Sequence, residues 1–125
     1  MSRVSKRSLY SRLGGYDRIT ALLDGVCGRM MRDAQIGVYF KGHNDQSKRR
    51  LRQYFVDYFV EVAGGPTFYH GNDLTVAHKG LGISESDWNA FMHLVEEALG
   101  KYKVTEAERE EFLKLFEDLK RYVVE

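Results

Sequence analysis

Leu74–Ile83, LTVAHKGLGI, is the stretch around which the rest of the chain is organised. It carries one histidine, His78. Leu74, Val76 and Ala77 lead up to it, and Gly80 and Gly82 stop the pattern. A histidine on the apolar side of a one-turn helix, released by glycines, is held in place yet open to a flat ligand. Imidazole is the commonest protein ligand of transition metals. A bare ion needs three or four protein donors, which one histidine cannot supply. One suffices where a macrocycle provides the others. An isolated histidine on an apolar face is ordinarily a hydrogen-bonded core residue, and from this stretch alone that is the better reading. The remainder of the chain shifts the balance.

At 125 residues the chain makes one domain long enough to bury a core. Its 43% hydrophobic and 30% charged residues are ordinary for a globular protein. A net charge of +1 gives no basic field for nucleic acid. Lys48, Arg49, Arg50 and Arg52, like Arg3, Lys6, Arg7 and Arg12, read as solvated faces. The single cysteine excludes an internal disulfide and fits a reducing compartment. No run reaches membrane-span length, and the N-terminus lacks the apolar segment of a signal peptide. The expectation is a cytoplasmic protein without nucleic-acid or membrane partners, monomeric or weakly dimeric. Residues 1–7 are expected to fray, and residues 8–125 to form the domain.

The periodicity predicts helices throughout. Ser8 caps a short helix with Leu9, Tyr10 and Leu13, and Gly14-Gly15 ends it. A longer helix to about Asp33 places Ile19, Leu22, Leu23, Val26, Cys27 and Met30 on one face. Ile36, Val38, Tyr39 and Phe40 form a compact apolar turn, and Lys41 to Ser47 a polar loop. The next helix, from about Ser47 to Ala63, has an aromatic stripe of Leu51, Tyr54, Phe55, Tyr58, Phe59 and Val62. Gly64-Gly65-Pro66 breaks it. Ser84 and Asp87 open a helix with Trp88, Phe91, Met92, Val95 and Leu99 inward, and Gly100 follows its end. Thr105 to Glu108 is a capping box for a last helix whose inner face is Phe112, Leu115, Phe116, Leu119, Tyr122 and Val123. With one proline and no period-two strand, the fold class is all-α, with helices of unequal length.

Four pieces in this order, LYSRLGGYDRI (9–19), YFKG (39–42), AGGPTFYHG (63–71) and AHKGLGI (77–83), resemble the truncated haemoglobins. These are the short two-on-two globins, and the likeness is greatest to their first group. It runs from Ser8 to Leu99, and the C-terminal helix matches by type and length. The resemblance implies a two-on-two helical sandwich with short N-terminal and proximal helices, and haem b (iron protoporphyrin IX) as cofactor. It matches His78 to the proximal histidine on the iron and Phe40 to the phenylalanine packed on the porphyrin. It matches Tyr69 to an aromatic at the haem edge. Leu74 and Trp88 correspond to apolar proximal positions, and Ile83 closes the same motif. The glycine pairs at 14–15 and 64–65 correspond to those that let short helices replace full ones.

The departures fall on the gas-binding side. Where the family usually has a tyrosine, this chain has Cys27, preceded by Val26. Anchoring the distal helix on Gly64-Gly65-Pro66 makes Leu51, Tyr54 and Phe55 the haem-facing residues and requires about one extra turn of chain in residues 41–50. Anchoring it on Phe40 instead makes Ser47 and Leu51 distal; the first register is preferred. Cys27 is a weak hydrogen-bond donor, Leu51 and Phe55 donate nothing, and Tyr54 is the one strong donor there. A bond to a polarised group contributes roughly 1.5–3 kcal/mol, about one to two decades in affinity. Oxygen is therefore expected to be held weakly and released fast, with less discrimination against carbon monoxide.

The function expected is reversible binding of oxygen, carbon monoxide or nitric oxide at haem iron, in oxygen transport, redox chemistry or nitric oxide detoxification. Detoxification as a dioxygenase would need an external reductase, and the apolar distal side argues mildly against it. Two other readings stand beside this one. His43 could supply a second axial ligand in an electron-transfer or sensing protein, or Tyr54 and Phe55 could fill the slot and leave a haem-free interaction module. Cys27 reads as a buried small hydrophobe, and Lys79, His70 and His93 as surface residues. No hydrolytic arrangement of nucleophile and histidine, or of paired carboxylates, is visible.

Overall fold

The computed structural model describes residues 7–125, so nearly all of the segment expected to fray lies outside the described residues. Among these there are helices and no strand. Helix α1 (Leu9–Arg12) is capped by the Ser8 hydroxyl, which accepts from Ser11 N–H. After Gly14-Gly15 comes α2 (Tyr16–Arg32), with Asp33 as its C-cap. A 3-10 turn (Ile36–Phe40) leads to α3 (Asp45–Val62), then come α4 (Leu74–His78) and α5 (Glu85–Leu99). The reciprocal Ser84–Asp87 capping box starts α5, and a matching Thr105–Glu108 box starts α6 (Glu106–Glu117). A four-residue α7 (Lys120–Val123) follows.

Helix α2 packs on both α3 and α5, and α5 on α6, which builds the two-on-two arrangement. Ile19, Leu23, Val26, Val60, Val95, Phe112 and Phe116 are completely buried. Phe116 is the hub. It stacks on Phe59 of α3 at a centroid distance of 4.0 Å and 18°, and its ring also meets Phe55, Phe91 and Phe112. One ring thus joins α3, α5 and α6. The turn at 64–65 brings α1 against the end of α3, with Tyr10 N–H donating to Ala63 carbonyl at 2.9 Å. Only glycine fits at Gly65, because a Cβ would collide with Val60 and Tyr10.

Several local expectations are corrected. Helix α3 begins at Asp45, two residues before Ser47, because Asn44 accepts from Ser47 N–H and caps it. The last helix is not continuous. Leu119 N–H bonds Phe116 carbonyl, a tight three-residue turn that separates α6 from α7. This break turns Tyr122 outward (39% exposed) beside the Arg121 guanidinium, rather than inward. Val62 also leaves the stripe for solvent, at 42% exposed.

A polar latch fastens the 3-10 turn to the start of α5. The Asp87 carboxylate accepts from Tyr39 hydroxyl, Gln35 Nε2 and Ser84 N–H. The Tyr39 bond above all, then the Ser84 and Gln35 bonds, hold the Asp87 carboxyl down to about 2, and the same bond pushes the Tyr39 phenol up. A carboxyl lowered on folding stabilises above its ordinary value near 3.8 and ceases to as pH falls towards about 2. In urea titrations, Asp87→Asn should therefore be less stable than the parent at pH 7, with the gap closing between those two values. Phe116→Ala should cost about 3–5 kcal/mol in the same titration, as removal of a fully enclosed ring does.

Candidate functional site

A cavity of about 460 Å3 with predominantly apolar walls lies among α2, the 3-10 turn, α3, α4 and α5. That is within the ~300–1,000 Å3 range of small-molecule and cofactor sites. Helix α2 contributes Cys27, Met30 and Met31, and the turn contributes Tyr39 and Phe40. From α3 come Leu51, Arg52, Tyr54, Phe55, Tyr58 and Phe59. The facing wall is Tyr69, Leu74, Ala77, His78, Leu81 and Ile83, and α5 adds Asp87, Trp88 and Phe91. Leu119 and Val123 reach it because the last helix breaks between them and Phe116.

His78 ends α4, half-buried, with Nδ1 2.7 Å from the Leu74 carbonyl one turn earlier. A carbonyl only accepts, so Nδ1 carries the proton. In the neutral ring Nε2 is then the nitrogen with a free lone pair, the arrangement that orients ligating histidines in metal sites. The Asp73 carboxylate caps α4 by accepting from Thr75 N–H, and Tyr69 hydroxyl donates to Asn72 carbonyl just before it.

Ten of the residues expected at the site line one cavity: Cys27, Phe40, Leu51, Tyr54, Phe55, Tyr69, Leu74, His78, Ile83 and Trp88. Val26 does not. It is fully buried in the core, because neighbouring residues on a helix point about 100° apart and Cys27 takes the cavity face. Ser47 also lies off the cavity, its hydroxyl on Asn44 carbonyl, whereas Leu51, Tyr54 and Phe55 line it together. Tyr54 and Phe55 wall the space without filling it. Tyr54 sits 38% exposed, edge-on to Tyr69 at 6.1 Å, and Phe55 leans on Phe59 at 4.9 Å. His43 reaches the rim but is exposed, with Nδ1 3.1 Å from Ser47 hydroxyl.

Met30, Met31, Tyr39, Tyr58, Asp87 and Phe91 were not foreseen at the site. Met30 stands three residues after Cys27 on the same helix face, and Tyr39 next to Phe40, which were the available signals. Asp87 was visible only as a cap. Burial pushes the Cys27 thiol up to about 12, assisted by Asp24 and opposed by Arg52, so it stays protonated at neutral pH. It is neither a thiolate ligand nor a nucleophile. Arg52 is held at the rim by an ion pair with Asp24 at 3.5 Å.

This donor set suits a flat macrocycle carrying its own metal. Among the described residues no three His, Cys, Asp or Glu side chains gather to hold a bare ion. One oriented imidazole faces an apolar slot, and that is what a haem requires of its protein.

The family model for bacterial-like globins matches residues 8–125. A group 1 truncated hemoglobin of Tetrahymena pyriformis is 25% identical over 115 residues, covering 92% of this chain and 93% of that protein. A group 1 truncated hemoglobin of Mycolicibacterium paratuberculosis is 31% identical over 77 residues, 62% of this chain and 54% of that protein. The crystal structure of the Tetrahymena pyriformis protein in its Fe(III) form superposes with a TM-score of 0.83 at 23% identity, covering 94% of this chain and 98% of that one. The 2/2 hemoglobin from Synechococcus gives 0.79 at 18% identity, covering 93% and 95%. The sandwich of helices, the histidine-walled cavity and the match along residues 8–125 together place this chain in the bacterial-like globin family, as a truncated haemoglobin.

Proposed function

We propose that the chain is a haem-binding globin in which His78 ligates the iron and the opposite wall receives a diatomic gas. The observation that supports this most is the His78 ring, with Nδ1 pinned to Leu74 carbonyl at the wall of a large apolar cavity. Haem, when bound, supplies an iron that takes oxygen, carbon monoxide or nitric oxide and changes oxidation state. The chain's residues do the rest. His78 would hold the iron through its free Nε2. Phe40, Leu74, Ile83 and Trp88 would surround the macrocycle with apolar surface and exclude water. Arg52 and the Tyr69 edge stand at the polar rim.

Cys27, Leu51 and Phe55 make the gas-facing wall. The protonated Cys27 thiol is a weak donor, and the other two have none. Tyr54, at 38% exposure, stands at the mouth. This wall favours quick exchange of a neutral gas over prolonged retention of oxygen. It fits carriage or sensing better than a dioxygenase cycle, in which oxygen must persist until nitric oxide arrives.

Absorbance spectra of haem-reconstituted protein test the reading. The parent should take up one haem per chain with a Soret band that shifts on carbon monoxide, and His78→Ala should lose the five-coordinate ferrous spectrum while keeping its helical circular dichroism. A parent that retains no stoichiometric haem would sink the proposal. A six-coordinate ferrous spectrum abolished by His43→Ala would replace it with an electron-transfer or sensing role. Introducing a donor, Leu51→Gln, should slow oxygen dissociation by about one to two decades in stopped flow, the value of one bond to a polarised acceptor.

A further inference from the structure

Helix α4 is an insecure support for a histidine that would hold a metal. It has five residues, none of them buried, and is too short to be stable by itself. Its N-terminal side is secured by the Asp73 cap. Its C-terminal side runs through Lys79 into Gly80 (φ +85°) and Gly82 (φ +69°), positions with left-handed backbone where glycine is freest. Leu81 N–H bonds His78 carbonyl at 3.2 Å, and no apolar anchor in that segment is buried.

Glu125, 47 residues downstream of His78, fills this gap. One carboxylate oxygen accepts from Gly80 N–H at 3.0 Å and the other from Gly82 N–H at 2.7 Å. Its own N–H donates to Ile83 carbonyl at 2.8 Å. Three bonds from one residue hold the whole return loop, and helix α7 packs against α4 beside it. Both glycine amides point at a charged acceptor, so these are the stronger kind of hydrogen bond. The same two bonds hold the Glu125 carboxyl below its ordinary value.

We propose that Glu125 is a positioning residue for His78. By clamping Gly80 and Gly82 it fixes the C-terminal flank of α4 and so sets how firmly the imidazole is presented to the iron. This rests on the haem-binding reading above. The bond from Nδ1 to Leu74 orients the ring, Asp73 holds one end of its helix, and Glu125 holds the other.

The test compares Glu125→Ala and Glu125→Gln with Glu110→Ala, which removes the same charge from an exposed position on α6. Glutamine keeps one acceptor oxygen but turns an amide nitrogen towards the second glycine, so it should fall between parent and alanine. The first readout needs no cofactor. Amide hydrogen exchange of the haem-free full chain should speed up by roughly tenfold at Gly80 and Gly82 in Glu125→Ala, the value of about one charge-assisted bond, and stay unchanged in α2 and α5. The second readout is the iron–histidine stretching band of the ferrous protein, together with the rate of haem transfer to an acceptor protein. Glu125→Ala should shift or broaden the band and release haem about tenfold faster, with Glu125→Gln intermediate and Glu110→Ala like the parent. Faster local exchange with an unchanged band and unchanged release would make the clamp a loop contact only and overturn the proposal. Exchange unchanged at both glycines would overturn it too. A parent with no histidine-ligated haem would overturn the site reading first, and this inference with it.

Discussion

A small helical domain that must keep a hole in its middle has little apolar surface to spare. Here a cavity of about 460 Å3 takes the place that side chains would otherwise fill. The Phe116 ring resolves the conflict by joining three helices beside the hole. Phe59, Phe55 and Phe91 each pack one side on Phe116 and turn another towards the cavity. The wall is therefore rigid where it meets the core. A cavity lined by unsupported flexible side chains would collapse, since unfilled space forfeits packing attraction.

The opposite wall is built on different terms. Helix α4 contributes no fully buried residue; beside its packing on α7 it is held by hydrogen bonds: Asp73 before it, Leu74 carbonyl on the His78 ring, Glu125 after it. Leu81 on this wall, at 44%, remains exposed, as does Val76 of α4 at 61%. A hydrogen-bonded wall opposite a hydrophobically packed one suits a site that must admit a large flat group. The Asp87 latch joins the turn carrying Phe40 to the helix carrying Trp88 through the bonds from Tyr39 and Gln35, while the Ser84 bond caps that helix.

The polarity of the cavity is decided by what is missing from it. The resemblance to the truncated haemoglobins would put a tyrosine donor at Cys27, and burial keeps the Cys27 thiol protonated. Leu51 and Phe55 extend the same apolar face. The ionised groups are each engaged by partners, Asp87 by Tyr39, Gln35 and Ser84 and the exposed Arg52 by Asp24. A neutral guest meets little resistance in such a space, and a polarised one finds little to hold it.

What the sequence determined by itself was whatever depends on neighbours along the chain. Caps at Ser8, Ser84 and Thr105, the glycine breaks and the 3.6-residue apolar stripes are local signals, and the helices follow them closely. The resemblance carried by the motif around His78 and the glycine breaks brought ten of the cavity-lining residues with it. Tertiary structure decided the rest, because the deciding contacts join residues far apart in sequence. Tyr39 meets Asp87 across 48 residues, and Gly80 meets Glu125 across 45. No periodicity announces either pairing. The same holds for Val26 and Cys27, equally apolar neighbours of which only one faces the cavity. It holds too for the last helix, whose stripe reads as unbroken through Val123, although a tight turn at Leu119 brings Leu119 and Val123 to the site and sends Tyr122 out. Helical periodicity says which side chains share a face. Only packing says what that face meets.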